Sequence, residues 1–127
     1  MGQTPKSGYK ACILVVDDDV KILRLLHISL KMAGYEVITA TSGGEALQLQ
    51  ESEKPDIMLL DILMPIMDGF EVLRRLRAVS ELPVIACSAH TSNGEKALQL
   101  GANDFLAKPF MPDELIKRIK ALLDHRE

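Results

Sequence analysis

Basic residues are not in excess in this chain of 127 residues: Lys and Arg number 15 against 18 Asp and Glu, a net charge of -3. That balance gives no electrostatic footprint for nucleic acid, and no basic cluster marks a membrane surface. No apolar stretch approaches the roughly 20 residues that a membrane-spanning helix needs. The opening "MGQTPKSGYK" lacks the apolar core of a signal peptide, and Lys6 stands where a myristoylation signal wants Ser or Thr. Residues 1–10 are expected to be a flexible polar leader, with one domain over 11–127. There are only two cysteines, Cys12 and Cys87, without CxxC spacing, which excludes a zinc site and a disulfide framework. Each lies in an apolar run, so both read as small buried hydrophobes in a reducing cytoplasm. No internal repeat or low-complexity segment is visible.

What is present is an alternation of strand-like and helix-like segments, with 47% hydrophobic residues, enough for one real core. "CILVV" (12–16), "DIMLL" (56–60) and "VIACSA" (84–89) are solid apolar runs, as strands buried on both faces require. "YEVITA" (35–40) and "DFLAK" (104–108) complete five strands. Between them, Ile22, Leu23, Leu26 and Leu30 recur at helical spacing up to the stop at Gly34. Residues 42–53 read as a helix with a capping box made by Ser42 and Glu45. Phe70, Val72, Leu73, Leu76 and Val79 form a third stripe, entered by a turn at Asp68 and Gly69. Residues 92–101 read as a short, weak helix, and 112–125 as a strong one opening on Pro112. Five βα units with short connections predict a doubly wound parallel α/β sheet with helices on both faces.

Such sheets bind ligands beyond the carboxyl ends of their strands, where the winding reverses. The odd polar residues fall there: Asp17, Asp18 and Asp19 after strand one, Asp61 after strand three, Ser88 after strand four and Lys108 at the end of strand five. Asp61 follows the four apolar residues 57–60, and a carboxylate taken from water without a partner is strongly disfavoured. In strand order 2-1-3-4-5, Asp17, Asp18 and Asp61 meet. Carboxylates so close need protons or a cation, and hard oxygen ligands suit Mg²⁺. No Gly-rich loop follows strand one to cradle a nucleotide or flavin phosphate. With a divalent ion in place, though, a phosphoryl group becomes welcome. Lys108 could pair with Asp61 and then with a phosphoryl oxygen, and Ser88 could donate to another. Asp61 is therefore read as a carboxylate that becomes an aspartyl phosphate.

"ILVVDDD", "LLDILMPIMDG", "PVIACSA" and "DFLAKPF" together resemble, in order and spacing, the signature of response-regulator receiver domains of two-component signalling, from about Cys12 to His125. The resemblance implies the flavodoxin-like order 2-1-3-4-5, which chemotaxis members of the family also have. It implies Asp61 as phosphoacceptor, and Mg²⁺ on Asp18 directly, on Asp17 largely through water, and on the backbone carbonyl of Leu63. It implies phosphoryl binding by Lys108, a cis bond before Pro109, and a switch pair in Ser88 and Phe105. Leu63 and His90 would flank the phosphoryl group and tune its loss. The implied donor is a phosphohistidine on a sensor histidine kinase or phosphotransfer protein. The implied reader is a downstream effector at the surface of the fourth helix, fifth strand and fifth helix, with the chain a monomer or a phosphorylation-dependent homodimer. No activity beyond self-phosphotransfer and self-dephosphorylation is expected.

Plainer readings stand beside these. Asp19 is expected to cap the first helix, which leaves Asp17 and Asp18 unexplained by capping. Phe105 is core by default, Met58, Met64 and Met67 are packing or loop filler, and His27 and His125 are expected to be exposed. A haloacid-dehalogenase-like phosphohydrolase would take Asp17 to Asp19 as its DxD motif. The chain has Val20-Lys21 where Gly-Thr is usual, lacks a further acidic pair after the lysine, and leaves Asp61 idle. A receiver-fold interaction module that no longer takes phosphate is the remaining alternative.

Overall fold

The structure is a computed structural model that describes residues 10–124; the expected leader, apart from Lys10, and the expectation for His125 lie outside the described residues. Strands β1 (Cys12–Val16), β2 (Glu36–Ala40), β3 (Ile57–Asp61), β4 (Val84–Ser88) and β5 (Asp104–Ala107) alternate with five helices. These are α1 (Val20–Met32), α2 (Gly43–Glu53), α3 (Gly69–Arg77), α4 (Asn93–Gln99) and α5 (Pro112–Asp124). The sheet is parallel throughout, in the order β2-β1-β3-β4-β5. That is the expected doubly wound architecture.

Strand side chains alternate between faces, and the two faces collect different cores. Leu14, Val16, Met58, Leu60, Val84 and Ala86 pack with residues of α2, α3 and α4. Ile13, Val15, Ile57, Leu59, Ile85, Cys87 and Leu106 pack with Leu23, Leu26 and Leu30 of α1 and Leu115 and Ile119 of α5. Every residue of β3 and β4 is buried, which is why those segments carry no polar alternation. Each fully buried large aliphatic side chain contributes about 1.5–3 kcal/mol.

Caps follow the sequence closely. Asp19 accepts from Lys21 N, Ser42 from Glu45 N and Asp68 from Glu71 N. Asp68 is thus the N-cap of α3 rather than only part of a turn. The capping box is modified, because Glu45 accepts from the backbone and hydroxyl of Thr41, one residue before the cap. Other expectations are corrected. Val79 lies beyond α3 and is 75% exposed, since the helix ends at Arg77 before it can turn that side chain inward. His27 is half-buried rather than exposed. Phe105 does pack on the core, though half-buried, because β5 is the edge strand and α4 beside it is short. Lys108 stands one residue past β5, and Cys12 is half-buried while Cys87 is fully so.

Candidate functional site

Register brings the polar strand ends together. Val16 lies beside Leu60, Asp61 beside Cys87 and Ser88 beside Ala107, so Asp17, Asp61, Ser88 and Lys108 reach one edge of the sheet. Their order across the sheet follows from β1, β3, β4 and β5 being consecutive neighbours. The backbone holds the loops in place: Asp17 N–H donates to Ala40 O, Ile62 N–H to Cys87 O and Lys108 N–H to Ser88 O.

Carboxylate oxygens of Asp17, Asp18 and Asp61 lie within 4.8 Å of one another. Asp17 and Asp61 are buried, whereas Asp18 is exposed. The Lys108 ammonium is 3.4 Å from Asp61 Oδ1, the expected pairing, and closer still, 2.8 Å, to Asp17 Oδ2. Asp17 also accepts from Asp19 N–H at 2.9 Å, and Asp61 accepts a long bond from Leu63 N–H at 3.4 Å.

One cation among three acids leaves the cluster under-compensated. Burial, then the charge of Asp17, pushes the Asp61 carboxyl up to about 6, against the lowering effect of Lys108 and Leu63 N–H. Burial pulls the Lys108 ammonium down, but its bond to Asp17 and the neighbouring acids outweigh this and leave it raised. A hard divalent cation among these oxygens would relieve the repulsion, and the donor set of three carboxylates, one of them open to solvent, fits Mg²⁺.

Ser88 is fully buried, and its hydroxyl accepts from His90 N–H and from Asn93 Nδ2, each at 3.0 Å. The Lys108–Pro109 peptide bond is cis. Leu63 is 48% exposed, and His90 is exposed as well. By strand alternation Asp17, Asp61 and Lys108 share the α1/α5 face, whereas Ser88 and Phe105 belong to the α2/α3/α4 face. Phe105 packs with the core of that second face.

Three residues were not legible in their roles: Gly69 and Asn93 at the site, and Arg77 at the opposite edge of β4 and β5. A Cβ on Gly69 would stand 2.7 Å from Asp61 O and from Ile62 Cα, so only glycine lets the start of α3 approach the strand that carries Asp61. Arg77 is half-buried and donates to Gly101 O, Ser80 O and Asn103 Oδ1. Asn93, which in sequence only weakened a helix, holds Ser88. A glycine after a capping Asp was the one available signal; a side chain's tertiary partners leave none.

The profile of the response regulator receiver domain matches residues 13–120. The chain belongs to that family. This receiver is 44% identical over 118 residues to the alkaline phosphatase synthesis transcriptional regulatory protein PhoP of Bacillus subtilis, covering 91% of this chain and 49% of PhoP. It is 44% identical over 117 residues to the transcriptional regulatory protein PrrA of Mycobacterium tuberculosis, covering 90% of this chain and 50% of PrrA. The receiver thus spans about half the length of the curated relatives it matches. The receiver domain of the Francisella response regulator 1452 superposes with a TM-score of 0.87 at 36% identity, over 93% of this chain and all of that one. As a response-regulator receiver domain, the chain is a phosphorylation-activated switch of two-component signalling. Neither the phosphohydrolase nor the phosphate-free interaction module finds support in these relatives. Among the described residues no helix is long and apolar enough to cross a membrane.

Proposed function

We propose that Asp61 takes a phosphoryl group from a phosphohistidine of a sensor histidine kinase or histidine phosphotransfer protein. The ion required is Mg²⁺, held by Asp17, Asp18, Asp61 and the backbone carbonyl of Leu63. The observation that carries this reading is the meeting of three acids from two strands within 4.8 Å, with Lys108 in contact with two of them. An Asp61 oxygen attacks phosphorus, the bond from phosphorus to the imidazole nitrogen breaks, and the histidine leaves with the electron pair. Mg²⁺, when bound, neutralises charge on the acids and on the transferring oxygens.

Lys108 then follows the phosphoryl oxygens as a point charge. Ser88 donates its hydroxyl to another of them, and Phe105 turns into the space that opens. Pro109 fixes the chain just beyond Lys108. Leu63 and His90, at the rim, set how easily water reaches the phosphoryl group, so the domain catalyses only its own phosphorylation and dephosphorylation. The signal leaves by the surface of α4, β5 and α5 toward an effector domain or protein, with the chain a monomer or a phosphorylation-dependent homodimer. The receiver proper is taken as residues 11–127 after a leader of 1–10. It works in the cytoplasm without contacting nucleic acid itself, in keeping with its net charge of -3.

Incubation with acetyl phosphate and Mg²⁺, followed by mass spectrometry, tests the central step. A phosphoryl adduct on the parent and none on Asp61→Asn is the expected result. An adduct on both, or on neither, overturns the assignment of Asp61.

A further inference from the structure

Three helices begin with a side-chain cap, but α4 does not. Asp19, Ser42 and Asp68 each accept a backbone N–H at the start of α1, α2 and α3, whereas Ser92 makes no such bond and sits in helical backbone. Besides the backbone turn bonds from Asn93 N–H to His90 O and from Gly94 N–H to Thr91 O, a side-chain contact reaches from this end of α4 back to the end of β4. Asn93 Nδ2 donates to Ser88 Oγ at 3.0 Å, across the connection from β4. The next residue is keyed to the sheet as well. A Cβ on Gly94 would lie 3.0 Å from Phe105 Cδ2, so the ring rests against the bare backbone of this first turn. Consecutive residues of α4 therefore touch Ser88 and Phe105, the two residues assigned to the switch.

The far end of α4 is fixed differently. Arg77 Nε holds Gly101 O at 3.0 Å, and its NH2 group holds Asn103 Oδ1, which also accepts from Val84 N–H. Only Gly94 and Ala97 of α4 are buried, so little apolar packing opposes movement of the near end.

We propose that Asn93 is a positioning residue that ties the start of α4 to the Ser88 hydroxyl, so that turning Ser88 toward the phosphoryl group releases this end of the helix while Arg77 holds the other. A hydroxyl has two acceptor lone pairs and one hydrogen. In the structure His90 N–H and Asn93 Nδ2 use both lone pairs. Ser88 cannot swing its oxygen toward Asp61 and keep both donors, and the Asn93 side chain is the one attached to a mobile element. The tie converts a small rotation of one serine into a tilt of α4, a two-state response of the kind that ligand-driven population shifts require. The release step rests on the reading of Asp61 as phosphoacceptor, but the tie itself does not.

Amide hydrogen exchange of residues 93–99 in protein without phosphoryl donor or Mg²⁺ tests the tie. Asn93→Ala and Ser88→Ala should each speed exchange there by about two- to tenfold, the range one net hydrogen bond commands. The double variant should go no further than the faster single one. Alanine is the better helix former, so faster exchange in Asn93→Ala is opposite to what propensity alone would give. Unchanged amides in α1 and α5 confirm that the fold is intact. Exchange in Asn93→Ala equal to the parent, or effects that multiply in the double variant, would overturn the tie. Beryllium fluoride with Mg²⁺ should speed exchange at 93–99 in the parent and have a smaller effect in Asn93→Ala. If acetyl phosphate modifies Asp61 but beryllium fluoride leaves these amides unchanged, the release step falls and the phosphoacceptor stands. If Asp61 takes no phosphoryl group, that assignment falls, and the double-variant comparison still decides the tie.

Discussion

On the face covered by α1 and α5 the strands end in Asp17, Asp61 and Lys108, while on the face covered by α2, α3 and α4 the same edge carries the Ser88 hydroxyl and, within β5, the Phe105 ring. One face ends in charge that is only partly balanced, with Asp61 raised to about 6. The other ends in a neutral hydroxyl whose acceptor sites are filled by two N–H donors. Alternation along a strand is what separates them, so the chemical half and the mechanical half of the site are neighbours through the thickness of one sheet. On the proposed function, the charged half is the one altered by a cation or a phosphoryl group, and the neutral half the one that reports the alteration.

The contrast can be broken most forcefully at Lys108. Lys108→Met removes the cation that answers two buried acids and should cost on the order of 3 kcal/mol at pH 7 without Mg²⁺. The loss should shrink as pH falls and the acids take up protons; urea unfolding at several pH values reads both effects. Asp61→Asn should act in the opposite sense. Burial pushes the folded carboxyl up to about 6, above its ordinary 3.8, so its ionised form opposes folding. That penalty is absent below about pH 4, grows between 4 and 6, and is complete at 7. The variant should therefore be about 2 kcal/mol more stable than the metal-free parent at pH 7 and no more stable at pH 4. Added Mg²⁺ should close the gap by stabilising the parent.

On the neutral face, Ser88→Ala strands two N–H groups and should cost about 1 kcal/mol with no dependence on pH between 4 and 7. A pH-dependent loss there would erase the distinction between the faces. The last effect is kinetic and concerns the rim. An amide in place of Leu63 and a carboxylate in place of His90 can orient an attacking water, so Leu63→Asn with His90→Glu should speed phosphate loss from Asp61 by about tenfold. Decay of the phosphorylated protein followed by mass spectrometry measures it, and a parental rate would remove both residues from that role.

Much of the fold was legible because it depends on local periodicity. The solid apolar runs of β1, β3 and β4 announced strands buried on both faces, and the stripes of α1, α3 and α5 announced their helices. The errors are equally physical. Val79 kept the apolar period but fell past the end of α3, and His27 read as exposed although α1 half-buries it. Among site residues, the acids, Ser88 and Lys108 stood out because polar groups at the ends of apolar strands are conspicuous. Gly69 and Asn93 did not, nor did Arg77 away from the site, since each matters through a contact distant in sequence or across a loop.

The sequence by itself determined the alternation of strand and helix and the set of polar groups that would stand at the strand ends, because periodicity and burial act over neighbouring residues. Tertiary structure alone decided that Lys108 sits closer to Asp17 than to Asp61, that glycine is obligatory at position 69, and that α4 is moored through Asn93 instead of its own cap. Those outcomes depend on distances of a few tenths of an ångström between segments far apart in the chain, and such distances exist only once the sheet has fixed its register.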